Sequence, residues 1–105
     1  MIFEVQFSVA ARDALERLFD CALARELNSE TGDLDIPERA LQVIRDGIGF
    51  LRSSPFACRK VGVSPFVREL IIPFGSSGYV ALFEIVDDHT VIIGAVRHQR
   101  EDDYH

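Results

Sequence analysis

The chain has 105 residues, 48% of them hydrophobic and 10% aromatic, which suits one folded domain and excludes a disordered tail. Its 17 acids outnumber 11 bases, for a net charge of −6, so strong long-range attraction to nucleic acid is not expected and a protein target is favoured. No apolar run approaches the ~18 residues of a membrane helix. The opening Met1-Ile2-Phe3-Glu4-Val5-Gln6-Phe7 carries an acid and alternates, unlike a signal peptide, so a cytoplasmic protein with no membrane partner is expected.

In chain order, Ile2 to Phe7 reads as a strand and Ser8 as a helix N-cap. From Val9 to Asn28, Leu15, Leu18, Phe19, Ala22, Leu23 and Leu27 recur at three- and four-residue spacing, predicting an amphipathic helix. Ser29 to Asp35 is a polar connection, with Gly32 suited to chain reversal. A second helix follows, with Pro37 in its first turn, Asp35 or Ile36 as cap, and an apolar stripe of Leu41, Ile44, Ile48 and Leu51. Gly47 and Gly49 each weaken that helix by about 1 kcal/mol relative to alanine, which suggests close packing. It should stop near Ser53-Ser54, ahead of Pro55.

Residues 55–66 read as a loop in which Ser-Pro-Phe occurs twice, at 54–56 and 64–66, as shared turn chemistry. Val67 to Pro73 is a second strand, and Phe74 to Gly78 a turn. Gly78 to Val86 and Thr90 to Val96 then form a hairpin about Asp87-Asp88-His89. The order β-α-α-β-β-β defines a single α+β domain over residues 1–105.

In the hairpin, Val80, Leu82 and Val86 point one way and Tyr79, Phe83 and Ile85 the other. Two helices cover one such face. The other predicts a stable partner, unless the C-terminal tail or the loop folds back over it. Cys21 is expected to be a small buried hydrophobe. Cys58 falls in the loop, where Arg59 and Lys60 could lower its pKa.

No phosphate-binding glycine loop is present, and His89, His98, His105 and the two cysteines show no metal-ligand spacing, so neither cofactor nor metal is expected. The candidate chemistry lies in Arg97, His98, Arg100 and Tyr104. Alternation sets Arg97 and Gln99 against His98 and Arg100. His98 and Arg100 on one face could serve as acid or base and anion clamp, as RNA cleavage through a 2′-hydroxyl requires. Alternatively, Glu101, Asp102 and Asp103 neutralise the arginines in local ion pairs.

The hairpin and its ending Val96-Arg97-His98-Gln99-Arg100 resemble the RelE/ParE toxins of bacterial toxin–antitoxin modules. The resemblance implies an N-terminal strand and a helical hairpin packed on a curled antiparallel sheet. One branch of the family cuts mRNA on the ribosome; the ParE-like branch poisons DNA gyrase and serves plasmid stabilisation. Both are silenced by a cognate antitoxin. The nuclease branch places an arginine directly after Ser-Gly-Tyr, whereas Ser77-Gly78-Tyr79 is followed by Val80. The basic positions of the preceding strand fall on Ile71 and Pro73. Arg100 matches a catalytic arginine, with Tyr104 loosely placed for a terminal tyrosine.

The resemblance therefore implies a ParE-like toxin without catalytic residues. Its expected target contacts are Arg59, Lys60, Arg68, Arg97, His98 and Arg100, and its expected antitoxin contacts Leu82, Phe83, Ile85 and Ile93. No direct binding to DNA is expected from the chain alone. The alternatives are a ribosome-dependent mRNA endoribonuclease using Arg97, His98, Arg100 and Tyr104, or a degenerate toxin without activity.

Overall fold

The computed structural model describes residues 2–30, 32–75 and 77–99. Strands form at Glu4–Phe7 (β1), Arg59–Lys60 (β2), Val67–Phe74 (β3), Ser77–Asp87 (β4) and Thr90–His98 (β5). Two helices, Val9–Leu27 (α1) and Asp35–Phe50 (α2), and a short 3₁₀ turn, Pro55–Ala57, complete the chain. The sheet order is β1-β5-β4-β3-β2. This is the expected α+β architecture, with two additions. The two-residue β2 extends the sheet beyond β3, and β1 pairs with β5 in parallel, so the sheet is mixed.

Local chemistry accounts for the helix ends. Ser8 is extended, and its Oγ accepts a hydrogen bond from Ala11 N at 3.0 Å, the geometry of an N-cap. The cap of α2 differs from expectation: Leu34 occupies that position without a side-chain bond, and Asp33 Oδ1 accepts from Asp35 N at 2.9 Å instead. Pro37 still falls in the first turn, where its missing N–H leaves no helical bond unmade.

Packing is carried by small residues on α1. Ala11, Ala14 and Ala22 are its buried positions, while Leu15, Leu18, Phe19 and Leu23 are half-buried and Leu27 is exposed. An alanine face lets the helix axis approach the sheet closely, leaving the larger side chains on its flank. From α2, Ile44 and Ile48 are buried, as is Leu51 just beyond its end. A Cβ on Gly47 would come within 3.0 Å of Ile72, so this glycine does serve a close helix–sheet approach. Gly49 has no neighbour within 4 Å of that position and has no such role.

The β4–β5 hairpin supplies the core beneath these helices through Tyr79, Ala81, Phe83, Ile85, Val91, Ile93 and Val96. Its register shifts between Leu82 and Phe83, which pair with Ala95 and Ile93 and leave Gly94 as a bulge. The bulge changes the parity of β5, so that Val91 and Ile93 face the helices before it and Val96 after it. It also meets the start of α1, since the N-cap Ser8 Oγ donates to Gly94 O at 3.1 Å. Among the described residues, no helix is long and apolar enough to cross a membrane.

The two cysteines exchange their expected environments. Cys21 is exposed on α1 because the alanine face, and not the whole apolar stripe, meets the sheet. Cys58 is buried, and desolvation raises its pKa more than the nearby Arg68 lowers it. Iodoacetamide should therefore alkylate native protein at Cys21 alone and reach Cys58 only in denaturant, as peptide mass spectrometry would show.

Candidate functional site

The register sorts every strand residue onto one of two faces. Opposite the helices lie Ile71, Val80 and Arg97, joined in one cross-strand row, with Glu69, Leu82 and Ala95 in the next. Val67, Glu84 and Ile92 form a third row. On this face, Glu84 on the central strand, Glu69 and Arg97 set charge among the apolar residues, and burial is uneven. Ile71 is 40% exposed and Leu82 half-buried, whereas Val80 is 2% exposed beside Arg97. Arg97 Nη1 donates to the carbonyls of His98 and Gln99 at 3.2 and 3.4 Å, which curls the guanidinium back along its own strand.

His98 lies on the helix side, as alternation predicts. Its Nε2 lies 3.1 Å from Ser77 Oγ, and its ring meets Tyr79 edge-on at 5.4 Å between centroids. Arg97 and His98 thus face opposite sides of β5 and cannot act together on one bond of a substrate. Arg100 and Tyr104 lie outside the described residues.

The remaining basic residues also divide. Arg59 faces the open side and forms an ion pair with Glu69 at 2.8 Å. Lys60 faces the other way, exposed at the β2 edge. Arg68 has a structural position. Its Nε donates to Pro65 O at 2.8 Å and its Nη1 to Phe56 O and Cys58 O at 2.9 and 2.8 Å, beneath the Phe56 ring. A guanidinium engaged by three carbonyls holds a loop to a strand.

The expected antitoxin contacts separate by burial. Phe83, Ile85 and Ile93 are 1%, 4% and 0% exposed beneath the helices, so they are core residues closed to a partner. Leu82, with the opposite parity, lies on the open face. A second apolar surface lies on the helical hairpin, which the sequence offered as an alternative docking place without its residues: a groove of about 450 Å³ between α1 and α2, lined by Phe7, Leu15, Phe19, Leu41 and Ile48 with Glu16, Asp20 and Arg45 along it. Its signal was present in α1, where more leucines share a face than one sheet contact can bury.

At the hairpin tip, Asp87 Oδ1 accepts from His89 N at 3.0 Å and closes the turn. Asp87, Asp88 and His89 bring three possible ligand atoms within 4.8 Å, but all three are exposed and already bonded to one another.

The arrangement is a five-stranded mixed sheet with a helical hairpin on one face. The model of the ParE toxin of type II toxin–antitoxin systems, parDE, matches residues 5–103. The chain belongs to that family. Among solved structures it is similar to a chain of a chromosomal ParDE TA system from P. aeruginosa, with a TM-score of 0.68 at 16% identity, over 96% of this chain and 98% of that one. A comparison with curated proteins finds no match.

The tip predicts a pH dependence. The bond to Asp88, then the charges of Asp87 and Asp88, raise the His89 pKa above its ordinary value of 6.5. A raised folded-state value means that this stabilisation is whole below the unfolded pKa and is lost as pH rises through the folded one. In thermal melts from about pH 6 to about pH 8, the advantage of the native chain over His89→Gln should shrink as pH rises.

Proposed function

We propose that this ParE-family toxin acts by binding DNA gyrase in the cytoplasm and that a cognate antitoxin neutralises it. The observation that carries the reading is the cross-strand row Ile71–Val80–Arg97, with Pro73 beside it. The positions at which nuclease relatives keep cations hold aliphatic side chains, which can neither stabilise a pentavalent phosphate nor move a proton. Arg97 alone of that row is charged, and His98 faces away from it. The net charge of −6 agrees, since a direct grip on RNA or DNA requires a positive footprint.

Purified toxin added to gyrase and plasmid should accumulate cleaved DNA or block supercoiling, while translating ribosomes should leave their message intact. An unaffected gyrase at micromolar toxin, or transcripts cut at the A site, would overturn the proposal.

Membership of a type II toxin–antitoxin family implies an antitoxin partner. The α1–α2 groove is apolar and open along the helices, the shape that accepts one face of an amphipathic helix. Leu41 lines it and is half-buried, so Leu41→Glu should leave the fold intact. Co-expressed with its antitoxin, this variant should remain toxic where the native chain is silenced. Undiminished neutralisation would move the antitoxin to the open sheet face around Leu82.

A further inference from the structure

The two Ser-Pro-Phe segments, far apart in the predicted loop, meet in the structure. Phe56 and Phe66 pack edge-to-face at 6.4 Å and 73°, and Phe3 packs on the far side of Phe56 at 6.4 Å and 66°. Together they line a pocket of about 380 Å³ whose floor includes Ile85 and whose rim carries Asp87 and Asp88. It lies at the β4–β5 turn, the opposite end of the sheet from His98 and Ser77. It shares no lining residue with the α1–α2 groove.

The pocket is held open by bonds that do not depend on an occupant. Ser64 Oγ accepts from Phe66 N at 3.2 Å, and Cys58 N donates to Pro55 O at 3.3 Å, fixing each Ser-Pro-Phe turn separately. Arg68 then joins the two, with one guanidinium bonded to Pro65 O of one segment and Phe56 O of the other. Such preorganisation reduces the ordering cost of binding. Two phenylalanines nevertheless stay about half exposed, Phe56 at 51% and Phe66 at 48%, with Val86 at 50% beside them. Water faces a rigid aromatic concavity.

The charges around it select the occupant. Asp87 and Asp88 stand at the rim, with Glu4 close enough to influence His89. His89 offsets part of this charge when protonated, and the remaining sign is negative. Arg68, on the pocket wall behind Phe56, returns one positive charge, which Asp87, Asp88 and Glu4 still outnumber. Phosphate-bearing partners such as RNA, DNA or an anionic membrane are therefore repelled. We infer that this pocket docks an apolar side chain carried next to lysine or arginine on a protein partner. The apolar group fills the Phe56–Phe66 concavity while the cation meets Asp87 and Asp88, a pairing of hydrophobic anchor and polar rim.

Random-peptide phage display on the immobilised full chain tests this, with selected sequences remade as fluorescein-labelled peptides for polarisation titrations. The expected peptides carry an aromatic or long aliphatic residue flanked by Lys or Arg. Phe66→Ser and Asp88→Lys should each weaken binding by about tenfold or more. Because Asp88 is exposed, the second variant keeps the fold and decides the matter if the first melts early. No enrichment, selection of acidic or uncharged peptides, or binding that survives both substitutions would overturn the inference. So would a self-association abolished by Phe66→Ser, which would assign the pocket to a second copy. Gyrase inhibition and antitoxin capture are read in other assays, so either reading stands or falls alone.

Discussion

Two helices cover one face of a five-stranded sheet, and this shortfall in cover governs how the molecule meets others. The β4–β5 hairpin is apolar on both sides, and Val80, on the side away from the helices, is as buried as the core while Leu82 is half-buried. Ala11, Ala14 and Ala22 draw α1 close to the sheet and bury Phe83, Val91 and Ile93 almost completely. That same closeness pushes Leu15 and Phe19 to the helix flank, where they line the groove against α2. Tight packing on one side thus leaves apolar area on the others. Small domains have little area to spare, and exposed apolar patches of this kind mark places of association.

Charge organises those surfaces. Opposite the helices, among the described residues, Arg59 is tied to Glu69 and Arg97 is bent toward its own backbone. Between them lie Ile71, Val80, Leu82 and Ala95, with Glu84 on the central strand. This ParE-family chain carries two adjacent acids, Asp87 and Asp88, at the far turn.

Arg68 illustrates how one cation can be read two ways. In sequence it is a basic residue near other basic residues, and so a natural candidate for a target contact. In the fold its guanidinium bridges the carbonyls of two separate turns and packs under Phe56. Arginine is suited to this because its planar fork supplies several donors at fixed angles. The aromatic pocket at that end of the sheet exists because this one side chain holds both walls.

Local periodicity determined a great deal from sequence alone. The α+β order, the Ser8 cap, the two faces of β4 and the aliphatic residues at 71, 73 and 80 all follow from backbone repeats of 3.6 and 2 residues and from side-chain identity. The parallel docking of β1 beside β5, the burial of Cys58 in place of Cys21, the meeting of Phe56 with Phe66, and the choice of Phe83 and Ile93 as core with Leu82 outside were decided only by tertiary structure. The physical reason is that periodicity marks which residues share a face but carries no information on which face the helices cover. It is equally silent on which distant segments close packing brings into contact.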